Sequence, residues 1–274
     1  MSAFTGREPL PGPALRAFVS FQGHLLAAVS IVLLLTFWSL LSAYVIDPLL
    51  LPSPATVFRE AMTMIKSGEL AANVWASVQR ILWGFLTGCA AGIPVGLLVG
   101  RTQIARGLIL PALNLIRPIS PVALVPLVIV WFGIGETAKI ILVGYTTFIV
   151  MVFNTMSGAA STPVSRERAA RCFGAGELEI FRYVIVPSAV PYILTGMRVG
   201  LGFCFMSVVA AELVAADSGI GFLIMQSRFS VLTERMFVGL ATLGVLGWLS
   251  DWLLRKLVHW FARAYVGSEM SRVM

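Results

Sequence analysis

From Leu25 to Ile46 the sequence runs twenty-two residues without a charged side chain. A helix needs about 20 predominantly apolar residues to cross the hydrocarbon core of a bilayer. The run is too long for the apolar part of a cleaved secretion signal, so it reads as a retained first span. The pattern recurs. Apolar runs separated by polar, Gly or Pro breaks occupy about 25–46, 76–100, 107–132, 138–158, 187–215 and 236–254, which predicts an all-α, polytopic membrane protein with about six transmembrane helices. Charged residues make up 12% of the 274 positions, about half the share of a soluble domain, too few to cover a water-facing surface. Between the first two runs, Ala55 to Lys66 reads as a short amphipathic helix opened by Ser53 and Pro54 and closed at Gly68.

The net charge of +7 raises the question of nucleic acid. The basic residues sit in short clusters between apolar runs, with no basic stripe interleaved by aromatics, so the sequence points to membrane lipid as its surroundings and to no nucleic-acid partner. An even number of spans puts both termini on one side, and basic residues accumulate on the cytoplasmic side. With a cytoplasmic N-terminus, twelve fall inside, among them Arg101, Arg106, Arg166, Arg168, Arg171 and Arg182. Six fall outside: Arg59, Lys66, Arg80, Lys139, Arg228 and Arg235. The expectation is a multi-pass membrane protein, with a cytoplasmic tail at 1–24, a membrane domain at 25–260 and a second cytoplasmic tail at 261–274. Cys89, Cys172 and Cys204 are too scattered for a disulfide framework or a metal site.

Gly84, Gly88, Gly92, Gly96 and Gly100 recur every fourth position. Each step of four advances a helix by about 400°, so these glycines form one slowly winding stripe without side chains. Such a stripe lets another helix approach closely; packing inside one subunit is the expectation, ahead of a substrate groove. The third run holds Pro111, Pro118, Pro121 and Pro126, which must kink or break it. Irregular backbone at membrane depth is tolerated where it is buried in protein or lines a water-filled cavity, so Pro118 and Pro121 mark either a pathway wall or a packing kink.

Between the fourth and fifth runs lies Ser165-Arg166-Glu167-Arg168-Ala169-Ala170-Arg171-Cys172-Phe173-Gly174, continuing through Glu179, Phe181 and Arg182 to Pro187. Ser165 is placed to cap a short helix and Gly174 to end it. The result is a basic helix-turn-helix knob at 165–187. Here the chain resembles the permease subunits of binding-protein-dependent ABC importers, whose cytoplasmic loop reads Glu-Ala-Ala, three residues, Gly, nine residues, Ile, any residue, Leu, Pro. Ala169, Ala170, Gly174, Val184, Val186 and Pro187 fall in register, while Arg168 replaces the usual Glu. Leu51-Pro52-Ser53-Pro54, Arg117-Pro118-Ile119-Ser120-Pro121, Trp131 to Glu136, and Ala210-Ala211-Glu212 with Gly219-Ile220-Gly221 look like the nitrate, sulfonate, taurine and bicarbonate branch, nearest to taurine permeases. Coverage runs from about residue 50 to 260.

The resemblance implies a type I ABC importer (MetI-like) transmembrane domain that pairs with a second copy as a homodimer. It further implies two cytoplasmic ABC ATPase subunits and a periplasmic or lipid-anchored solute-binding protein. The loop would dock on an ATPase through Ala169, Ala170 and Gly174, flanked by Arg166, Arg168, Glu179, Phe181 and Arg182; otherwise it is an ordinary basic loop that sets orientation. ATP and Mg would be handled by the partner subunits, with no cofactor on this chain. Its own residues agree: a phosphate-cradling loop needs Gly-Lys-Ser/Thr, and Lys66, Lys139 and Lys256 each follow another residue than glycine. With two histidines and no paired carboxylates, we expect no enzyme.

Ionisable groups within spans are functional candidates. Glu136 and Lys139 are expected to pair at i,i+3 or to meet water. Arg117, Arg198 beside Gly196 and Gly200, and Glu212 either pair internally, stabilise a subunit contact or line the pathway. A small anionic solute would favour the arginines and disfavour Glu212. The rival reading, a secondary transporter driven by an ion gradient, would want interrupted helices in matching halves, whereas the prolines crowd into one run.

Overall fold

The computed structural model describes residues 13–265, and all of the regular structure there is helical. The ends of the expected tails, including Arg7 and Arg272, lie outside the described residues. Two units divide the chain at Arg59. In the first, α1 (Pro13–Tyr44) presents an apolar, mostly exposed surface from Val29 to Tyr44. The indole of Trp38 donates to Pro52 O at 3.1 Å and the Ser42 hydroxyl to Leu51 O at 2.7 Å, pinning the Leu51-Pro52 turn to α1. Helix α2 (Pro54–Lys66) begins where Ser53 Oγ accepts the Thr56 N–H at 3.2 Å, and it stops at Gly68, whose φ of 79° suits glycine.

The second unit contains α3 (Glu69–Arg101), α4 (Gln103–Ile116), α5 (Pro121–Phe132), α6 (Glu136–Ala160), α7 (Val164–Cys172), α8 (Glu177–Ile180), a turn of π-helix (Phe181–Ile185), α9 (Val186–Ala215), α10 (Ile220–Phe229) and α11 (Thr233–Tyr265). Among the described residues four stretches are long and apolar enough to cross a membrane: α3, α6, Glu177–Val214 and Thr233–Val258. The bent pair α4 and α5 would make a fifth, and the apolar part of α1 is shorter. Several expected boundaries move. The second span starts at Glu69 and not near 76, because Asn73, Ser77 and Arg80 are buried on one helical face. The fifth extends back to Glu177 through the π turn.

The expected third span is two helices meeting at 100° around Arg117-Pro118-Ile119-Ser120. Pro118 removes a donor where α4 would continue and Pro121 starts α5. The carbonyls freed by the break find the Tyr145 hydroxyl, which donates to Ile116 O at 2.7 Å and Ile119 O at 3.3 Å.

Helices α3 and α6 pack in parallel along a regular ladder. A Cβ added at Gly84, Gly88, Gly92, Gly96 or Gly100 would meet Val143, Thr147, Met151, Thr155 or Ala159 respectively, again every fourth residue. At Gly96 the added carbon would lie 2.6 Å from Thr155 Cβ and 2.8 Å from Val152 O, with backbone on one side and a rigid β-branched side chain on the other. Overpacking a filled interface costs about 1–3 kcal/mol even for small additions. Gly96→Leu is therefore expected to abolish recovery of monodisperse protein from membranes. Gly96→Ala should lower its thermal midpoint, whereas Gly247→Ala, where an added Cβ meets no atom within 4 Å, should not. Normal yield and midpoint for Gly96→Leu would refute the ladder.

Candidate functional site

Three features converge on function: a buried charge hub, an exposed basic knob, and a cavity at the broken helix. The hub is centred on Arg80, three turns into α3 with only 2% of its side chain exposed. The charge count set it among the outer basic residues, although the expected run 76–100 contains it; the structure buries it inside the bundle. All five guanidinium donors are used. Nε and Nη2 donate to Glu136 Oε2 and Oε1 at 2.6 and 2.7 Å, Nη1 to Glu212 Oε1 and Ser218 O at 2.7 and 2.6 Å, and Nη2 also to Ser218 Oγ at 3.1 Å.

Glu212 is fully buried and accepts further bonds from Ser77 Oγ at 2.7 Å and the Gly221 N–H at 2.8 Å. Asn73 Oδ1 accepts the Gly219 N–H at 2.8 Å, and Ser77 Oγ accepts the Ile220 N–H at 2.9 Å. Lys139, also buried, donates to Glu136 Oε1 at 2.9 Å, the expected i,i+3 pair. Gly219, with φ of 120°, and Gly221 leave room for the Glu212 carboxylate, since a Cβ on either would strike that side chain. The Trp131 to Glu136 and Ala210-Ala211-Glu212 motifs thus meet on one guanidinium, and Gly219-Ile220-Gly221 closes on Asn73, Ser77 and Glu212 beside it. Sequence reasoning missed Arg80, although Asn73, Ser77 and Arg80 at helical spacing in an apolar neighbourhood were the available signal.

The knob stands at the opposite end of α3. Helix α7 begins one residue before Ser165, with Pro163 in the N-cap position and no side-chain cap. It ends as expected at Gly174: φ is 86°, the Gly174 N–H donates to Arg171 O at 2.9 Å and the Ala175 N–H to Ala170 O at 3.1 Å. That is a Schellman closure, which strongly favours glycine. Arg166, Arg168, Ala169, Glu179, Arg182 and Pro187 are exposed, and Ala170 is half-buried. Glu179 serves locally, accepting the Gly176 N–H at 2.8 Å. Phe181 is half-buried against the cluster of Ala159, Ile180 and Ile185, so it anchors the knob where an exposed flanking contact was expected.

Two apolar groups that sequence reasoning passed over, Phe173 and Leu178, are 91% and 78% exposed. Arg101, the last residue of α3, was also missed. It donates to Glu167 at 3.0 Å and Glu177 at 2.9 Å, and Arg171 donates to Glu177 at 2.7 Å.

The cavity, of about 540 Å³, opens beside the α4–α5 break and is lined by Arg117, Pro118, Ser120, Pro121 and residues of α6 and α9. Neither Arg198 nor Glu212 lines it. Arg198 Nε donates to Asp251 Oδ1 on α11 at 2.8 Å, and Asp251 also takes Arg255.

Residues 92–263 match the family described as the binding-protein-dependent transport system inner membrane component. A probable ABC transporter permease protein of Brucella abortus is 42% identical over 231 residues, covering 83% of this chain and 92% of that one. The chain belongs to the permeases of binding-protein-dependent ABC importers. The permease is also 36% identical to the taurine transport system permease protein of Escherichia coli over 82% of this chain and 84% of that one. It is 32% identical to a putative aliphatic sulfonates transport permease protein of Bacillus subtilis, over 90% of each chain. In fold the permease is similar to the MetNI methionine ABC transporter, with a TM-score of 0.60 at 21% identity over 71% of this chain and 95% of that one. It is thus an ABC importer permease, and the ion-gradient alternative gains no support.

Breaking a buried ion pair by removing one partner costs about 3–5 kcal/mol, because the other charge is left desolvated. Arg80→Met should therefore lower the thermal midpoint of the solubilised permease sharply, and adding Glu212→Gln should restore part of the loss. A double variant no more stable than Arg80→Met alone would show that the two groups are not energetically coupled.

Proposed function

We propose that two copies of this permease form the translocation pathway for a small anionic solute of the taurine, alkanesulfonate or nitrate kind. A separate solute-binding protein delivers the solute, and two cytoplasmic ATPase subunits power its passage. The chain spans a bacterial inner membrane with both termini in the cytoplasm. The excess of basic residues counted inside over those counted outside supports that orientation. The chain itself hydrolyses no ATP and leaves the solute chemically unchanged.

The observation that carries this reading is the knob. Phe173 and Leu178 expose apolar surface among Arg166, Arg168 and Arg182, the composition of an interface waiting for a partner. The knob is also fixed: Ile180 and Ile185 bury it, and Arg101 ties α7 and α8 to the end of α3. Closure of the paired ATPases would draw the two knobs together, and α3 would carry the motion into the bundle. The solute class is supported by the named relatives and by Arg117 at the break, which has no carboxylate partner among the described residues. One knob per chain and two ATPases support the homodimer.

Phe173 makes so little contact within its own chain that replacing it should leave the fold intact. Phe173→Asp is expected to weaken capture of the ATPase subunit about 30-fold, the cost of about 2 kcal/mol usual for an interface anchor, and to reduce solute uptake in parallel. Gly174→Asp, strained at positive φ, should do the same by misaligning the knob. ATPase capture by Phe173→Asp as tight as by the unaltered permease would place docking elsewhere.

A further inference from the structure

Charges at membrane depth are paired or they line water. In this permease Arg80, Lys139, Arg198 and Glu212 all have partners of opposite charge. Arg117 differs. Its guanidinium lies over the Phe153 ring, 4.7 Å from the centroid, and among the described residues no carboxylate or hydrogen-bond acceptor takes its N–H groups. Stacking occupies the face of a guanidinium and leaves its in-plane donors available.

Those donors belong to the one charged side chain that, among the described residues, lines the cavity at the helix break. Tyr145 contributes from the middle of α6 and Phe153 and Asn154 from about two turns further on, so the site lies within the length of that span. Ser120, Asn154 and Ser207 share the lining, the Asn154 amide donating to Val150 O and the Ser207 hydroxyl to Leu142 O, and α5 begins at Ser120-Pro121 with its N-terminus at the same cavity. A half-helix N-terminus carries a partial positive charge, and broken helices use it toward anions. At about 540 Å³ the volume lies in the ordinary range for a small-molecule site.

We infer that this cavity is an intramembrane binding site for a small monovalent oxyanion, a sulfonate, nitrate or carboxylate, with Arg117 as its charge and Phe153 as the platform that holds the guanidinium plane. The inference rests on the importer reading above and adds to it a residue-level stop along the pathway. One cation without a resident carboxylate attracts an anion, and the absence of a second cation lets it leave. Glu212 does not oppose the solute, because Arg80 neutralises it away from the cavity.

A Phe153→Trp permease, purified with its ATPase partners, reports on the site through the indole beside Arg117. Ethanesulfonate is expected to change its emission saturably, and ethanesulfonamide, the uncharged counterpart, to leave it unchanged. In the same background Arg117→Lys should weaken the apparent Kd by about tenfold, since a point charge replaces the planar fork, and Arg117→Gln should abolish saturation. Because Arg117→Lys keeps the charge, it remains informative if Arg117→Gln fails to fold. Titrations unaffected by Arg117→Lys, equal responses to sulfonate and sulfonamide, or no response to ethanesulfonate, nitrate or acetate would overturn the site. The last result is also the one expected if a carboxylate of the second copy occupies Arg117. Copurification of the ATPases separates the two levels: a complex that retains them yet fails to titrate sinks the oxyanion site alone, and loss of the ATPases from the unaltered permease sinks the importer assembly.

Discussion

A guanidinium that is 2% exposed within an apolar bundle must satisfy five donors and one charge in a single arrangement. Arg80 does so by drawing in the start of α6 through Glu136, the end of α9 through Glu212, and the 216–219 turn through Ser218. The pairing contributes more to specificity than to raw stability, since desolvating the ions offsets much of their attraction. A slip of one residue by any participating segment would strand a charge, so the hub selects one register for three helices. The glycines at 219 and 221 follow from the same requirement, because the carboxylate needs the space that their missing side chains leave.

The register set at Arg80 is carried along α3 by the contact with α6. Each glycine from 84 to 100 receives one α6 residue, and the five steps match in spacing. A ladder of this kind resists sliding by less than a full step of four residues, about 6 Å of helix, because intermediate positions drive Cβ atoms into backbone. Helices α3 and α6 therefore behave as one strut. One end carries the charge hub and the other carries Arg101, clasping Glu167 and Glu177 of the knob. If the knob docks an ATPase as proposed, this continuous contact is the route by which its motion would reach the hub.

How much of this the sequence disclosed depends on whether the relevant physics is local. The stripe from Gly84 to Gly100 was legible because a period of four is a property of one helix, and its partner had only to exist. The closure at Gly174 was legible because a left-handed C-terminus is chemistry of a few neighbouring residues. The role of Arg80 was not, since a basic residue near the edge of an apolar run reads as one more outer charge until the distant Glu136 and Glu212 are brought to it. The exposure of Phe173 and Leu178 escaped for a related reason: sequence shows that a residue is apolar, and only the fold shows that nothing covers it. The broken third span sits between these cases, with the four prolines announcing a break and Tyr145, twenty-nine residues from Ile116, explaining how it is tolerated.

The helix break and Arg117 are best understood together. An arginine at bilayer depth costs about 2.5–3.5 kcal/mol on insertion scales, and stacking on Phe153 returns about 0.5–2 kcal/mol. In the proposed anion site the remainder is supplied by water in the cavity or by the anion itself. Full compensation by a fixed carboxylate, as at Arg80, would make the site a structural element and close it to solute. Partial compensation keeps the cation stable enough to fold around and unsatisfied enough to attract a ligand. The same chain thus uses arginine in two ways, and the number of carboxylates within reach separates them: two for the guanidinium that fixes the bundle, and none among the described residues for the one that faces the cavity.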